Sequence, residues 1–130
     1  MGMDHSKYWI EQAEYDLGTA RAMQRTGRYL YVGFMCQLTL EKALKAVIAK
    51  QGDFPPKTHD LAKLAKLANL TDSLTEEQQR LIDVLYPLNI EARYPSHKEK
   101  LAQALDKGTC KKFLTDTKAM LEWIKEKLAI

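Results

Sequence analysis

The sequence predicts an all-α fold, an up-and-down antiparallel bundle of about five helices that takes up residues 1–130 as one domain. Three observations predict it. Apolar residues recur at helical spacing from end to end, with no run of period-two alternation. The six Gly and four Pro are few and gather at breaks between the periodic runs. A chain of 130 residues, 45% hydrophobic and 28% charged, is long enough to bury one sizeable core and has an ordinary globular composition.

The first helix is expected over about Ser6–Arg25, with Trp9, Ala13, Leu17, Ala20 and Met23 on one stripe and Thr26-Gly27 as its stop. The second runs from about Tyr29 to Lys50, and Gly52 follows it. Its first half is apolar almost all round (Tyr31, Val32, Phe34, Met35, Cys36, Leu38, Leu40), which marks a central helix. Gly33 inside it costs about 1 kcal/mol relative to Ala, and close approach of a neighbouring backbone would offset that. Phe54-Pro55-Pro56-Lys57 reads as a stiff connector. Thr58 then reads as the N-cap of a third helix with Leu61, Leu64, Ala65 and Ala68 inward.

Thr75 with Gln78 forms the capping-box signature of a fourth helix, whose inward row is Leu81, Val84, Leu85 and Leu88. Pro87 should bend it, and Pro95 should end it by forcing Tyr94 out of the helical region. Gly108 reads as a break, and a last helix from Thr109 carries Leu114, Thr117, Leu121, Ile124 and Leu128. Residues 97–107 fit either a loop or a short helix.

Composition narrows the function classes. A pI near 8.8 is mildly basic, compatible with a nucleic-acid partner without demanding one. Cys36 and Cys110 sit in unrelated contexts, so a disulfide framework is not expected, and a reducing, cytoplasmic location is. No apolar run is long enough to span a membrane or to form a secretory signal. Gly2 with Ser6 fits an N-myristoylation pattern, but Met3 offers an alternative start and a single acyl chain anchors weakly.

The positive charge is concentrated. From Arg93 to Lys112 six cations face two carboxylates, an excess of four, whereas the whole chain carries +3. The remainder is therefore slightly acidic, and a basic segment that includes His97 points to a phosphate-bearing partner, nucleotide or RNA. Arg93 can hold a phosphate bidentately; His97 can move a proton on a 2′-hydroxyl or a leaving oxygen. Together they would suit metal-independent RNA cleavage or nucleotide binding, whereas a purely structural role makes Arg93 a helix cap and His97 a solvated loop residue.

Lys57 and His59 form a second candidate phosphate site, or His59 simply packs in the first turn of the third helix beneath the prolines. Glu41, Lys42 and Lys45 interrupt the apolar helix. Glu41 and Lys45 have the spacing and order of a helix ion pair, worth about 0.3–0.5 kcal/mol on a surface. On so apolar a helix they could equally line a cleft or subunit interface. No metal-ligand spacing, glycine-rich phosphate loop or serine-nucleophile signature occurs, so neither metal nor cofactor is expected.

Several segments resemble the HEPN family, the higher-eukaryote and prokaryote nucleotide-binding domains, over nearly the whole chain. They are Ala13, Asp16-Leu17 and Ala20; Gln37-Leu38-Thr39-Leu40-Glu41-Lys42-Ala43-Leu44-Lys45; Lys57-Thr58-His59-Asp60-Leu61; and Ala92-Arg93-Tyr94-Pro95. The resemblance implies an all-α bundle, a homodimer, and a minimal nucleotidyltransferase as partner in a toxin–antitoxin type of system. Arg93 is the best match to the family's motif Arg, and phosphate contacts are expected at Arg93, Tyr94, Lys45, Lys57 and His59. Many members are ribonucleases that use an Arg, then four to six intervening residues, then a His, paired across the dimer. Here only Tyr94, Pro95 and Ser96 stand between Arg93 and His97, which favours a binding member over an endoribonuclease with Arg93 and His97 as its catalytic pair. A histidine phosphotransfer bundle with His59 as acceptor is a further alternative, ranked last because that role wants a His exposed in mid-helix.

Overall fold

The computed structural model describes residues 5–91 and 105–128, with the backbone alone for 90 and 91. Among these residues there are five α-helices, one short 3-10 turn and no strand: α1 (Ser6–Arg25), α2 (Tyr29–Lys50), α3 (Leu61–Leu67), the turn Thr71–Ser73, α4 (Glu76–Glu91) and α5 (Lys107–Lys127). The first two helices have the bounds expected from their periodicity.

Chain reversals are set by local chemistry. After α1, Arg28 N–H donates to Met23 O at 2.8 Å and Gly27 N–H to Gln24 O at 3.2 Å. Gly27 adopts φ 74° between them, the left-handed conformation that this Schellman closure requires. The same pair of bonds closes α2 through Gly52 (φ 93°) and α3 through Asn69 (φ 59°). At the start of α4 the capping box is reciprocal: Gln78 N–H donates to Thr75 Oγ1, and Thr75 N–H to Gln78 Oε1, both at 3.0 Å.

Two helix starts differ from expectation. Asp60, not Thr58, caps α3, its Oδ1 accepting from Lys63 N–H at 3.2 Å; Thr58 Oγ1 instead accepts from Asp60 N–H in the turn before. His59 therefore precedes the helix rather than lying in its first turn. Gly108 does not break the chain: α5 begins at Lys107, capped by Asp106, whose Oδ1 accepts from Thr109 N–H at 2.7 Å. A carboxylate cap with an acceptor this well placed outweighs the propensity cost of one Gly in the first turn.

Helix α2 packs against all four other helices and is the axis of the bundle. Val32, Cys36, Leu40, Ala43 and Leu44 are fully buried along it. Its Gly33 meets a side chain rather than a neighbouring backbone, since a Cβ there would stand 2.6 Å from Leu88 Cδ1 of α4. Val84, expected inward, is 48% exposed, while Leu81, Leu85 and Leu88 are buried as expected and Ile82 takes the remaining core position. Pro87 lies inside α4, which continues through it. The expected stop at Pro95 lies outside the described residues.

Three glutamines tie the elements together through backbone carbonyls. Gln24 Nε2 donates to Lys107 O at 3.0 Å, Gln51 Nε2 to Ala68 O at 2.9 Å, and Gln37 Nε2 to His59 O at 2.8 Å. The last of these fixes the connector between α2 and α3 onto the flank of α2.

Candidate functional site

The charges that interrupt α2 meet the connector at one place. Glu41 is 5% exposed at its side chain, and both its oxygens are engaged. Oε2 accepts from Lys45 Nζ at 3.2 Å, one turn along the helix, and Oε1 lies 2.8 Å from His59 Nδ1. Lys45, 10% exposed at its side chain, also holds its ammonium 5.6 Å from the centre of the Trp9 ring on α1, a cation–π arrangement. The His59 ring is about half-exposed, at 47%.

The geometry fixes the imidazole. A carboxylate beside an ammonium is ionised and can only accept hydrogen bonds, so the proton on His59 Nδ1 points at Glu41. Nε2 stands across the ring from that bond. The backbone is fixed as well, because Gln37 holds the His59 carbonyl. Side chain and main chain of one residue are thus anchored to two successive turns of α2.

A second ion pair, half-buried, joins α2 to α1. Lys42 Nζ is 2.8 Å from Asp16 Oδ2 of α1, with the Asp16 side chain 8% exposed. Trp9, Lys45, Glu41 and His59 thus form one polar seam between α1, α2 and the connector, and Asp16–Lys42 is a separate pair between α1 and α2.

Of the residues singled out from sequence, Lys45 and His59 come together around Glu41, and Lys57 is exposed two positions before His59. Arg93, Tyr94 and His97 lie outside the described residues. Glu41–Lys45 is a buried pair, so of the placements open from sequence the solvent-exposed one is excluded. Sequence reasoning did not find Gln37 or Trp9 as members, nor Glu41 as the hub. The available signal was an acid and two bases on an otherwise apolar helix.

The thiols are not part of this site. Both cysteines are free and buried. Burial pushes Cys36 up to about 12 and Cys110 up to about 11. Neither supplies a thiolate near neutral pH. No group of three or more His, Cys, Asp or Glu among the described residues is arranged to hold a metal ion, and no described helix is long and apolar enough to cross a membrane.

Fold and seam together define an all-α domain whose central helix carries charged residues facing a histidine-bearing connector. The HEPN domain model matches residues 6–128, and the chain belongs to that family. Two solved structures are similar along nearly their whole length. The crystal structure of TT1696 from Thermus thermophilus is 25% identical, with 96% of this chain and 99% of that one covered and a TM-score of 0.80. ST0689, described as an archaeal HEPN homologue, is 23% identical, with 94% and 96% covered and a TM-score of 0.65, a likeness of fold. No curated protein matches the chain.

Proposed function

We propose that this protein binds nucleotide or RNA through phosphate, as a homodimer, and serves as the partner of a minimal nucleotidyltransferase in a toxin–antitoxin type of pair. The observation that carries the reading is His59. Its imidazole is oriented by a buried carboxylate, its backbone is pinned by Gln37, and its ring is left about half-exposed. A purely structural histidine does not need both anchors and that exposure.

The end of α4 adds support. Leu88 packs against Gly33 of α2, and Gln37, which holds His59, is one turn further along the same helix. Arg93 follows the last residue of α4 by two positions, and the basic segment continues from it. Arg93, Tyr94, Lys57 and His59 are assigned here as phosphate contacts. Lys45 acts through Glu41, since its charge is engaged there.

Binding is favoured over cleavage by the short spacing of Arg93 and His97. A short single-stranded RNA and a panel of nucleotides, titrated by fluorescence anisotropy and calorimetry, test the reading. Arg93→Ala should weaken affinity by about tenfold to a hundredfold, the effect of losing a charged hydrogen bond. Unchanged affinity, or no binding by the native protein, would overturn it. RNA incubated in EDTA should stay intact. Cleavage that disappears in both Arg93→Ala and His97→Ala would establish the nuclease instead.

A further inference from the structure

We infer that the groove between α1 and α5 is a docking surface for base-paired RNA, which it holds by the phosphate backbone. This surface is distinct from the His59 seam, since Trp9 lies about 140° round α1 from Glu14, which faces α5. Two contacts fix how the helices meet. At one end Gln24 Nε2 donates to Lys107 O at 3.0 Å, and at the other Lys125 Nζ donates to Glu14 Oε1 at 2.6 Å. The two helices therefore run antiparallel, with α5 starting where α1 ends. By helical phase Arg21 and Arg25 lie within about 20° of Glu14, on the edge of α1 that faces α5. Lys107, Lys111 and Lys118 likewise lie within about 40° of Lys125, on the edge of α5 that faces α1.

All five cations are exposed, and none forms an ion pair among the described residues. The nearby acids are engaged elsewhere. Glu14 and Glu122 are both held by Lys125 at the far end, and Asp106 accepts from Thr109 N–H. Asp116 is paired with Lys112 and lies toward α4, beside Glu77 and Arg80. Unopposed positive charge therefore lines about 16 Å of groove from Lys107 to Lys118. A row of spaced cations matches a phosphate backbone. A protein partner or a single strand would instead be anchored by aromatic side chains. Those are placed elsewhere: exposed Tyr8 and Tyr15 lie about 100–120° round α1 from Glu14, and Phe54 is on the connector after α2. A-form RNA suits such a surface, because its deep major groove hides the bases and leaves backbone and shape to be recognised.

Fluorescence anisotropy with the intact protein and an RNA duplex of mixed sequence, about two helical turns long, tests this. The log of affinity falls with the log of salt by about 0.9 per phosphate neutralised, so five contacts predict a loss of about five-hundredfold between about 50 and 200 mM salt. Lys111→Gln with Lys118→Gln removes two contacts, and the same rise in salt should then cost only about fortyfold. Arg21→Gln should lower the slope by about one. Lys112→Gln, on the edge toward α4, should leave the slope unchanged. All four side chains are exposed, so these variants keep the fold. Scrambling the duplex sequence should not change affinity. No duplex binding at about 50 mM salt overturns the inference. So does a slope that the double variant leaves unchanged, or one that Lys112→Gln lowers equally. A DNA duplex or an oligouridine strand that loses as much affinity as the RNA duplex in the double variant overturns the assignment to base-paired RNA. Duplex binding that persists while nucleotides and single strands fail to bind would overturn the phosphate-contact reading above and support this one.

Discussion

Truncating Lys45 would leave the Glu41 carboxylate, 5% exposed, with the His59 imidazole alone to compensate it. Breaking a buried pair from one side costs about 3–5 kcal/mol, because the remaining charge stays in a low-dielectric site. Lys45→Ala should therefore lower the urea midpoint strongly. The double replacement Glu41→Leu with Lys45→Met should recover most of that loss, since the pair's desolvation disappears with its attraction. A double variant as unstable as the single one would show that the pair itself, and not its imbalance, sustains the fold. The same two residues in solvent would contribute a few tenths of a kcal/mol. Burial therefore decides the role of this pair, and spacing alone does not reveal burial.

At the scale of the element, the helices are bounded by chemistry that acts over three or four residues. The reciprocal Thr75–Gln78 box, and the Gly27 and Gly52 closures, are of this kind. Asp106 belongs with them and carries a pH signature. The backbone N–H of Thr109 holds its carboxyl below the usual carboxylate range, with the Thr109 side chain as the next cause. A depressed folded pKa means that this stabilisation is present above the ordinary Asp value of about 4 and is lost as pH falls through the folded value. Thermal unfolding of the native protein and of Asp106→Asn should thus differ most near neutrality and converge in acid. A difference that stays constant down to the folded value would exclude the charged cap as its source.

At the scale of the molecule, α2 touches every other helix, and three glutamine side chains secure chain segments between them. Such a bundle leaves large aromatics outside: Phe54 and Tyr15 are among the most exposed, at 94% and 74%. Homodimerisation is proposed for this fold, and sedimentation should give twice the chain mass of 14.9 kDa. A single species at the chain mass across the accessible concentration range would rule out the dimer and, with it, any site shared between two copies.

Periodicity and end signals, which act locally, determined much of this protein from the sequence alone. They determined the all-α class, the bounds of α1 and α2, the centrality of α2, the capping box of α4 and, with four matching segments, the family. They erred where two local signals competed, as at Thr58 against Asp60, and where a stronger cap overrode a Gly, as at Asp106 with Gly108. Helical phase misplaced Val84, because a stripe of that width leaves its margin to be settled by the neighbours that arrive.

Only the tertiary structure decided that Glu41, Lys45 and His59 meet. Glu41 and His59 are eighteen residues apart, and the contact depends on how the two-proline connector folds back along α2. Local spacing carries no information about such a return, nor about whether an ion pair lies in water or beneath a tryptophan. The type of each charged residue was fixed by sequence. Its partner, its burial and hence its energy were fixed by packing.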